Sequence, residues 1–429
     1  MKKPKLIENR TWFKLDNAAK IFPGQNSATW SNMIRISVNL KEDIDPGTLH
    51  CAIVRCLPRF PSLDVRMRKG FFWYYFEKNE KQPDVKPDAN NTCLRIKYHE
   101  NNNFLFRVFY YKNRISLELF HALTDGYGSA VFLSTVTAEY LRLKGHDIPV
   151  GGMVFDINEP PRDEELEDSF AKYAASKVKA KRTALSTYHR AGEKMPKHLS
   201  IMTSGYIPVD ILKEKAKSYG VTITEYLASV LMIVHMKLQR DENIRKQKEV
   251  SIQIPVNCRN LFPSETLRNF SVCYSVRLDP NLGEYTFEEV LRQVSLYLRY
   301  TNNKKHLQSM FAANLGLERN PVMRLIPLFI KDLGVGLSFA LTAEHTTTAL
   351  FTNLGIVKLP DEMMEHIESF ILMPSPGKVN GGRVGAVTVG NVMTVTFANT
   401  YSNTDIERDF FRFLIKQGIP VKIESNKDG

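Results

Sequence analysis

Between Phe104 and Leu143 the hydrophobic period of the chain changes from that of a strand to that of a helix, and the change falls on two glycines. Phe104 to Tyr111 is aromatic and apolar, and Lys112-Asn113-Arg114 reads as a turn. Ile115, Leu117 and Leu119 then alternate with Ser116, Glu118 and Phe120, which predicts a strand with two distinct faces. Beyond Gly126 and Gly128 the apolar positions become Val131, Phe132, Thr135, Val136, Tyr140 and Leu143, which share one side of a helix, and Gly145 supplies a stop. A strand and a helix joined this closely must both be buried, so the chain is committed to packed α/β layers. The junction reads Phe120-His121-Ala122-Leu123-Thr124-Asp125-Gly126-Tyr127-Gly128.

The second half repeats the mixture without strict βαβ alternation. Thr222-Ile223-Thr224-Glu225 is a capping box, followed by Leu227, Val230, Leu231, Val234 and Leu238 at helical spacing. Strands are predicted at 250–256, 272–278, 349–351, 385–389 and 392–397, and a closing helix at 405–417. Between Asp156 and His198 the composition shifts. It opens acidic and proline-containing (Glu159, Pro160, Pro161, Asp163, Glu164, Glu165, Glu167, Asp168) and turns basic (Lys172, Lys177, Lys179, Lys181, Arg182, Arg190). Such a run is read as a solvated, partly helical crossover. The 429 residues therefore divide into an N-terminal domain (1–155), a linker (156–198) and a C-terminal domain (199–429), an α/β sandwich in each half.

Composition narrows the partners more than the fold. Lys and Arg outnumber Asp and Glu by 58 to 46, a formal charge of +12, which favours an anionic partner without choosing one. No basic patch interleaved with aromatics is found, so nucleic acid is not expected. The five cysteines (Cys51, Cys56, Cys93, Cys258, Cys273) match no zinc spacing and read as small buried hydrophobes of a reducing compartment. No apolar core follows the basic N-terminus, and the longest apolar stretch, 226–236, falls short of the roughly 20 residues of a membrane span. A cytoplasmic, soluble protein is expected, with no metal.

His121, at a strand end, projects from a rigid support, and an imidazole titrating near neutrality can take a proton in a transition state. Asp125 could orient the turn, and Gly126 would remove a side chain where backbone passes closely. Taken alone, a histidine near an aspartate is more often structural. Other features carry less. Glu344-His345 has no second ligand at helical spacing, and His146, His189, His198, His306 and His366 are isolated in sequence. Gly381, Gly382 and Gly385 lack a phosphate-loop context and read as a hairpin connection. No G-x-S-x-G elbow marks a serine hydrolase.

The whole junction resembles the H-x-x-x-D-G motif of the superfamily that includes chloramphenicol acetyltransferase, the plant BAHD acyltransferases and peptide-synthetase condensation domains. Phe120 stands where some members have a second histidine. Further segments fall in order. Leu15-Asp16-Asn17-Ala18-Ala19 is similar to the family's opening, and Arg59-Phe60-Pro61-Ser62-Leu63 to the R-H-P-x-L of condensation domains. Pro255-Val256-Asn257-Cys258-Arg259 is similar to the V-N-x-R of BAHD enzymes, with Asn269-Phe270 following. Thr352-Asn353-Leu354-Gly355 resembles a late S-N-L-G segment of bacterial members. The resemblance spans Trp12 to Leu414 and is nearest to bacterial alcohol acetyltransferase-like proteins.

It implies two chloramphenicol-acetyltransferase-like α/β sandwich domains with a tunnel between them and His121 at its middle. His121 would be the general base and would need no acyl-enzyme. Asp125 would hold the loop through a salt bridge to Arg259, with Arg59 as the alternative partner. Asn269 and Asn353 are candidates for an oxyanion or substrate contact, or equally for local turn bonds. No cofactor is bound permanently. Acyl-CoA is the implied co-substrate and an alcohol or amine the acceptor, with an acyl carrier protein as alternative donor. A monomer is expected, since two fused domains already make a composite site. A silent homologue serving as a binding module is the reading of a different class.

Overall fold

The strand and helix flanking the glycine-bearing junction form where the periodicity changes, as Arg114–Phe120 and Gly126–Leu143 of the computed structural model. The structure describes residues 11–27, 31–89, 92–176, 178, 186–196, 199–242, 246–338, 345–377 and 382–427. The N-terminal basic stretch, Lys177, Lys179, Lys181, Arg182, His198, Glu344 and Gly381 lie outside them.

Strands of the first half are β1 (Trp12–Lys14), β2 (Met33–Leu40), β3 (Val65–Lys69), β4 (Tyr74–Lys78), β5 (Val85–Pro87), β6 (Phe106–Tyr111) and β7 (Arg114–Phe120). Its helices are α1 (Phe22–Gln25), α2 (Pro46–Cys56) and α3 (Gly126–Leu143), with α4 (Ser169–Tyr173) in the crossover. Asp45 starts α2 by accepting from Thr48 N at 2.6 Å, and Pro46 occupies the first turn, where its missing N–H costs nothing. The leucines and isoleucine of β7 pack against α2 and α3 in one hydrophobic core.

The opposite face of β7 is not solvated. Ser116 and Glu118 are as buried as their apolar neighbours. Glu118 takes Arg35 Nη1 at 2.9 Å and Cys93 N at 2.6 Å, and Ser37 donates to Ser116 at 2.8 Å. A buried carboxylate persists only with such partners.

Strands of the second half are β8 (Ile201–Pro208), β9 (Val250–Asn257), β10 (Ser271–Leu278), β11 (Ala349–Ile356), β12 (Ile367–Pro374), β13 (Gly382–Val389), β14 (Val392–Asn399) and β15 (Lys422–Ser425). Its helices are α5 (Val209–Ser218), α6 (Ile223–Asp241), α7 (Phe287–Thr301), α8 (Lys304–Arg319), α9 (Pro321–Leu325), α10 (Leu328–Ser338), α11 (Asp361–Met364) and α12 (Asp405–Lys416). The capping box at Thr222 and Glu225 is formed, and a second one, Thr286 with Glu289, opens α7.

Seven strands make the larger sheet in the order β10-β9-β11-β13-β14-β8-β15, with α6, α7 and α12 packed on a second core. The smaller main sheet has the order β12-β2-β7-β6-β5, and β1-β4-β3 form a third. The N-terminal sheet is thus not drawn from residues 1–155 alone. β12 crosses from the second half and pairs antiparallel with β2 from Ile367↔Leu40 to Pro374↔Ile34. It lies directly over β13, where a Cβ on Gly385 would stand 2.1 Å from Leu372 O. Gly385 is therefore a crossing point of two sheets. Gly382 and Gly385 lie within β13, and the hairpin turn falls later, between β13 and β14.

The crossover departs from a solvated face. Glu165 is buried, because Arg59 binds both its carboxylate oxygens at 2.5 and 2.7 Å. Histidines isolated in sequence also meet, His146 with His366 at 4.1 Å between ring centroids. Cys56, Cys93 and Cys258 are buried and unbridged, burial pushing the Cys258 thiol up to about 12, whereas Cys51 and Cys273 are exposed, against the expectation of burial.

Candidate active site

His121 sits one residue beyond β7, and its position is set by backbone before any side chain acts. Its N–H donates to Asn32 O at 2.9 Å, and Leu123 N closes a turn on Phe120 O. Asn32 holds φ at 47°, a left-handed conformation that asparagine adopts more readily than most residues, and this aims its carbonyl across the start of β2. Phe22 of α1 stacks on the imidazole, centroids 4.7 Å apart.

The imidazole is oriented by Asn269. Nδ1 of His121 lies 2.9 Å from Asn269 Oδ1, while Asn269 Nδ2 donates to His121 O at 3.0 Å and to Asp16 Oδ2 at 3.2 Å. The two partners of Nδ2 are a carbonyl and a carboxylate, so flipping the amide would set oxygen against oxygen twice. The amide orientation is thereby fixed, and its oxygen needs a hydrogen from Nδ1. The neutral imidazole therefore carries its proton on Nδ1, with its lone pair on Nε2.

Asp16 is wholly buried beneath this arrangement. Its other oxygen accepts from Ala19 N at 2.7 Å, and Arg268 Nε stands 3.6 Å away. Nearby Asp168 is pushed upward by burial and by the charge of Asp16.

This geometry reassigns Asn269. Both hydrogens of its amide are engaged, so it has none for an oxyanion, and its place is behind the His121 imidazole. Asn353 is not brought to His121 in this way. Its amide donates to Thr224 Oγ1 at 3.0 Å and accepts from Gly355 N at 2.9 Å, a local bond of the turn type.

Asp125 faces away from the imidazole. Its Oδ1 accepts from Gly128 N at 3.3 Å as the N-cap of α3, and Oδ2 accepts from Arg259 Nη1 at 2.7 Å and Phe270 N at 2.9 Å. Arg259 also donates to Thr266 O, Arg268 O and Asn257 Oδ1, and lies over the Tyr127 ring at 4.7 Å. One guanidinium thus ties the loop before β10 to the start of α3. Arg59 takes no part in this clamp, being committed to Glu165.

The close approach expected at Gly126 is found at Gly128. A Cβ at Gly128 would fall 2.2 Å from Leu267 O, whereas at Gly126 it would meet only the end of the Leu354 side chain at 3.3 Å. Leu354, from the late T-N-L-G segment, covers the junction.

Sequence alone assigns no role to Asp16, Phe22 or Asn32. Asp16 stood inside the matched opening segment, so a signal existed for it. Phe22 and Asn32 had none. Among the described residues no group of His, Cys, Asp or Glu could hold a metal. A cavity of about 440 Å³ lies elsewhere, against Arg55, Glu139, Arg142 and Asp156.

No protein-family model matches the sequence, and no curated protein matches it. Solved structures do. Polyketide synthase associated protein 5 from Mycobacterium tuberculosis superposes with a TM-score of 0.60 at 15% identity, covering 96% of this chain and 98% of that one. A mutant starter condensation domain of rhizomide synthetase in complex with C8-CoA gives 0.60 at 12% identity, covering 94% of each chain. Trichothecene 15-O-acetyltransferase from Fusarium sporotrichioides gives 0.57 at 11%, again covering 94% of each. At such identities the likeness establishes the fold, a two-lobed chloramphenicol-acetyltransferase-like α/β architecture.

Proposed function

We propose that the protein transfers an acyl group from a thioester to an alcohol, or to an amine, with His121 Nε2 as the general base. The observation that carries this reading is the hydrogen bond from Nδ1 to Asn269, which leaves the outer nitrogen basic. In the proposed step Nε2 removes the acceptor's proton as its oxygen or nitrogen attacks the thioester carbonyl. The tetrahedral intermediate collapses, the carbon–sulfur bond breaks, and the departing thiolate takes the proton back from the imidazolium. Asp125 stays outside this cycle. Its charge is matched by Arg259, and together they hold the loop that presents His121. The two substrates would meet in the seam between the lobes, and the basic excess of the chain suits the phosphates of coenzyme A.

Acyl-CoA is the donor we favour, since one of the similar condensation domains was solved with C8-CoA. A carrier-bound donor is the second reading, because other structures of this fold are condensation domains of synthetases.

The test is thiol release from acetyl-CoA and longer acyl-CoAs across a panel of alcohols and amines. His121→Ala should lose about 10²–10⁴ in rate while keeping its circular-dichroism spectrum. Release that survives the substitution would remove His121 from the chemistry. Release seen only with an acylated carrier would establish the second reading.

A further inference from the structure

Helix α10 is inside out. Its polar residues face the protein: Lys331 donates to Phe72 O at 3.1 Å and lies 3.6 Å over the Trp73 ring, and Asp332 accepts from Tyr74 OH at 2.7 Å. Leu328 and Val335 pack inward, but its other large apolar residues face outward. Phe329 (65% exposed), Leu333 (73%) and Leu337 (58%) form a stripe one turn apart, and Leu325 (73%), the last residue of α9, is exposed just before it. Phe71, 71% exposed, joins it at the tip of the β3–β4 hairpin, whose carbonyl accepts from Leu328 N at 2.9 Å. No described residue covers this face. Isolated apolar residues on a surface need no explanation, but a contiguous stripe on a helix whose charges point inward does.

Its surroundings select the partner. Around the stripe, with Lys331 turned inward, the cations Arg66, Arg68, Lys69 and Arg324 outnumber the carboxylates Glu77, Glu318 and Asp332. Apolar side chains rimmed by cations match the interface of a membrane bearing anionic lipids, where the chains enter the acyl boundary and the cations meet headgroups. No single described helix is long and apolar enough to cross a bilayer, so the contact is one of lying on the surface.

The face is also close to the site. α10 rests on α1 through Val335, whose Cγ1 would stand 3.1 Å from a Cβ at Gly24, and Phe22 of the same short helix stacks on His121. We infer that α9, α10 and the β3–β4 hairpin dock the protein on an anionic lipid surface, from which an amphiphilic substrate reaches His121. The substrate half of this inference rests on the acyl-transfer reading; the docking half does not.

The test mixes the full chain with sedimentable vesicles of phosphatidylcholine, alone or with one-third phosphatidylglycerol, and measures the fraction pelleted. Wild type pellets with the anionic vesicles. The double variant Phe329→Gln/Leu333→Gln lowers that partition by about tenfold or more. Lys69→Gln/Arg324→Gln lowers it by several-fold on anionic vesicles only. Ile415→Gln, an exposed apolar residue on the distant α12, pellets as wild type. His121→Ala also pellets as wild type, so docking and catalysis fail separately. Wild type left in the supernatant with both vesicles overturns docking, as does a double variant that pellets undiminished. A concentration-dependent dimer that the double variant abolishes, without vesicle binding, would make the face a contact between copies and overturn it too. With a long-chain alcohol carried in the vesicles, thiol release by the double variant falls by the same factor as its binding. Release held at wild-type level would cut the link to the substrate.

Discussion

The two lobes each bury one long helix, α3 and α6, and begin them by different means. α6 is capped by its own sequence: Thr222 accepts from Glu225 N, and Glu225 accepts from Thr222 N. α3 is capped by Asp125, whose carboxylate also takes Arg259 and Phe270 N from the other half of the chain. The first start is a local device that can form as soon as the helix does. The second is complete only when the lobes have met. The helix that follows the His121 loop is anchored across the seam, and the one that only fills a core is anchored within itself.

That difference can be broken by substitution. Asp125→Ala has the largest expected effect, about 3–5 kcal/mol of unfolding free energy, because it leaves Arg259 buried and unpaired. Urea denaturation would measure it, and a loss under 1 kcal/mol would mean the cap is as local as that of α6.

Acid should act on the other helix. His235 lies buried in α6, where desolvation lowers its pKa from 6.5 to about 4. The folded value is below the unfolded one, so this stabilisation is complete above about pH 6.5 and is lost as the pH falls towards 4, roughly 3 kcal/mol in all. His235→Leu should flatten the fall in the urea midpoint over that interval.

Asn269→Ala should lower kcat about 10–100-fold, as loss of an orienting partner does, and change the pH–rate profile, since Nδ1 loses the acceptor that fixes its tautomer. A KM effect alone would place Asn269 at a substrate. The smallest effect belongs to Thr222→Ala, about 1 kcal/mol of stability with thiol release unchanged. Thiol release that fell with it would deny the contrast between the two helix starts.

What could be read in the chain followed from how local the cause was. The β7–α3 junction, the Thr222 capping box and the closing helix 405–416 rest on period and capping, which a short window contains. β12 carries no such signal, since Phe370 to Met373 run apolar without alternation. β2 does alternate, Ile34, Ile36, Val38 and Leu40 against Arg35, Ser37 and Asn39, but nothing in a short window pairs it with a strand 330 residues on. The pairing of Asp125 with Arg259 came from resemblance, since residues 134 apart carry no periodic signal. Asn269 was noticed in the same way, but its role was legible only in three hydrogen bonds whose partners lie at 16 and 121. Arg59 shows the converse: a conspicuous residue in a matched segment, drawn to Glu165 in a charge run that read as solvent-facing.

The crossing of β12 has a consequence for how the protein is made. β2 alternates apolar and polar residues, all of them buried, with β7 on one side and residues 367–374 on the other. On the ribosome its second side stays open until Ile367 has emerged, although everything else in its sheet was synthesised long before. An unpaired strand edge invites strand addition from a neighbouring nascent chain. Slow translation or a shortage of chaperone should therefore harm this protein through its first lobe, even though the missing piece belongs to the second.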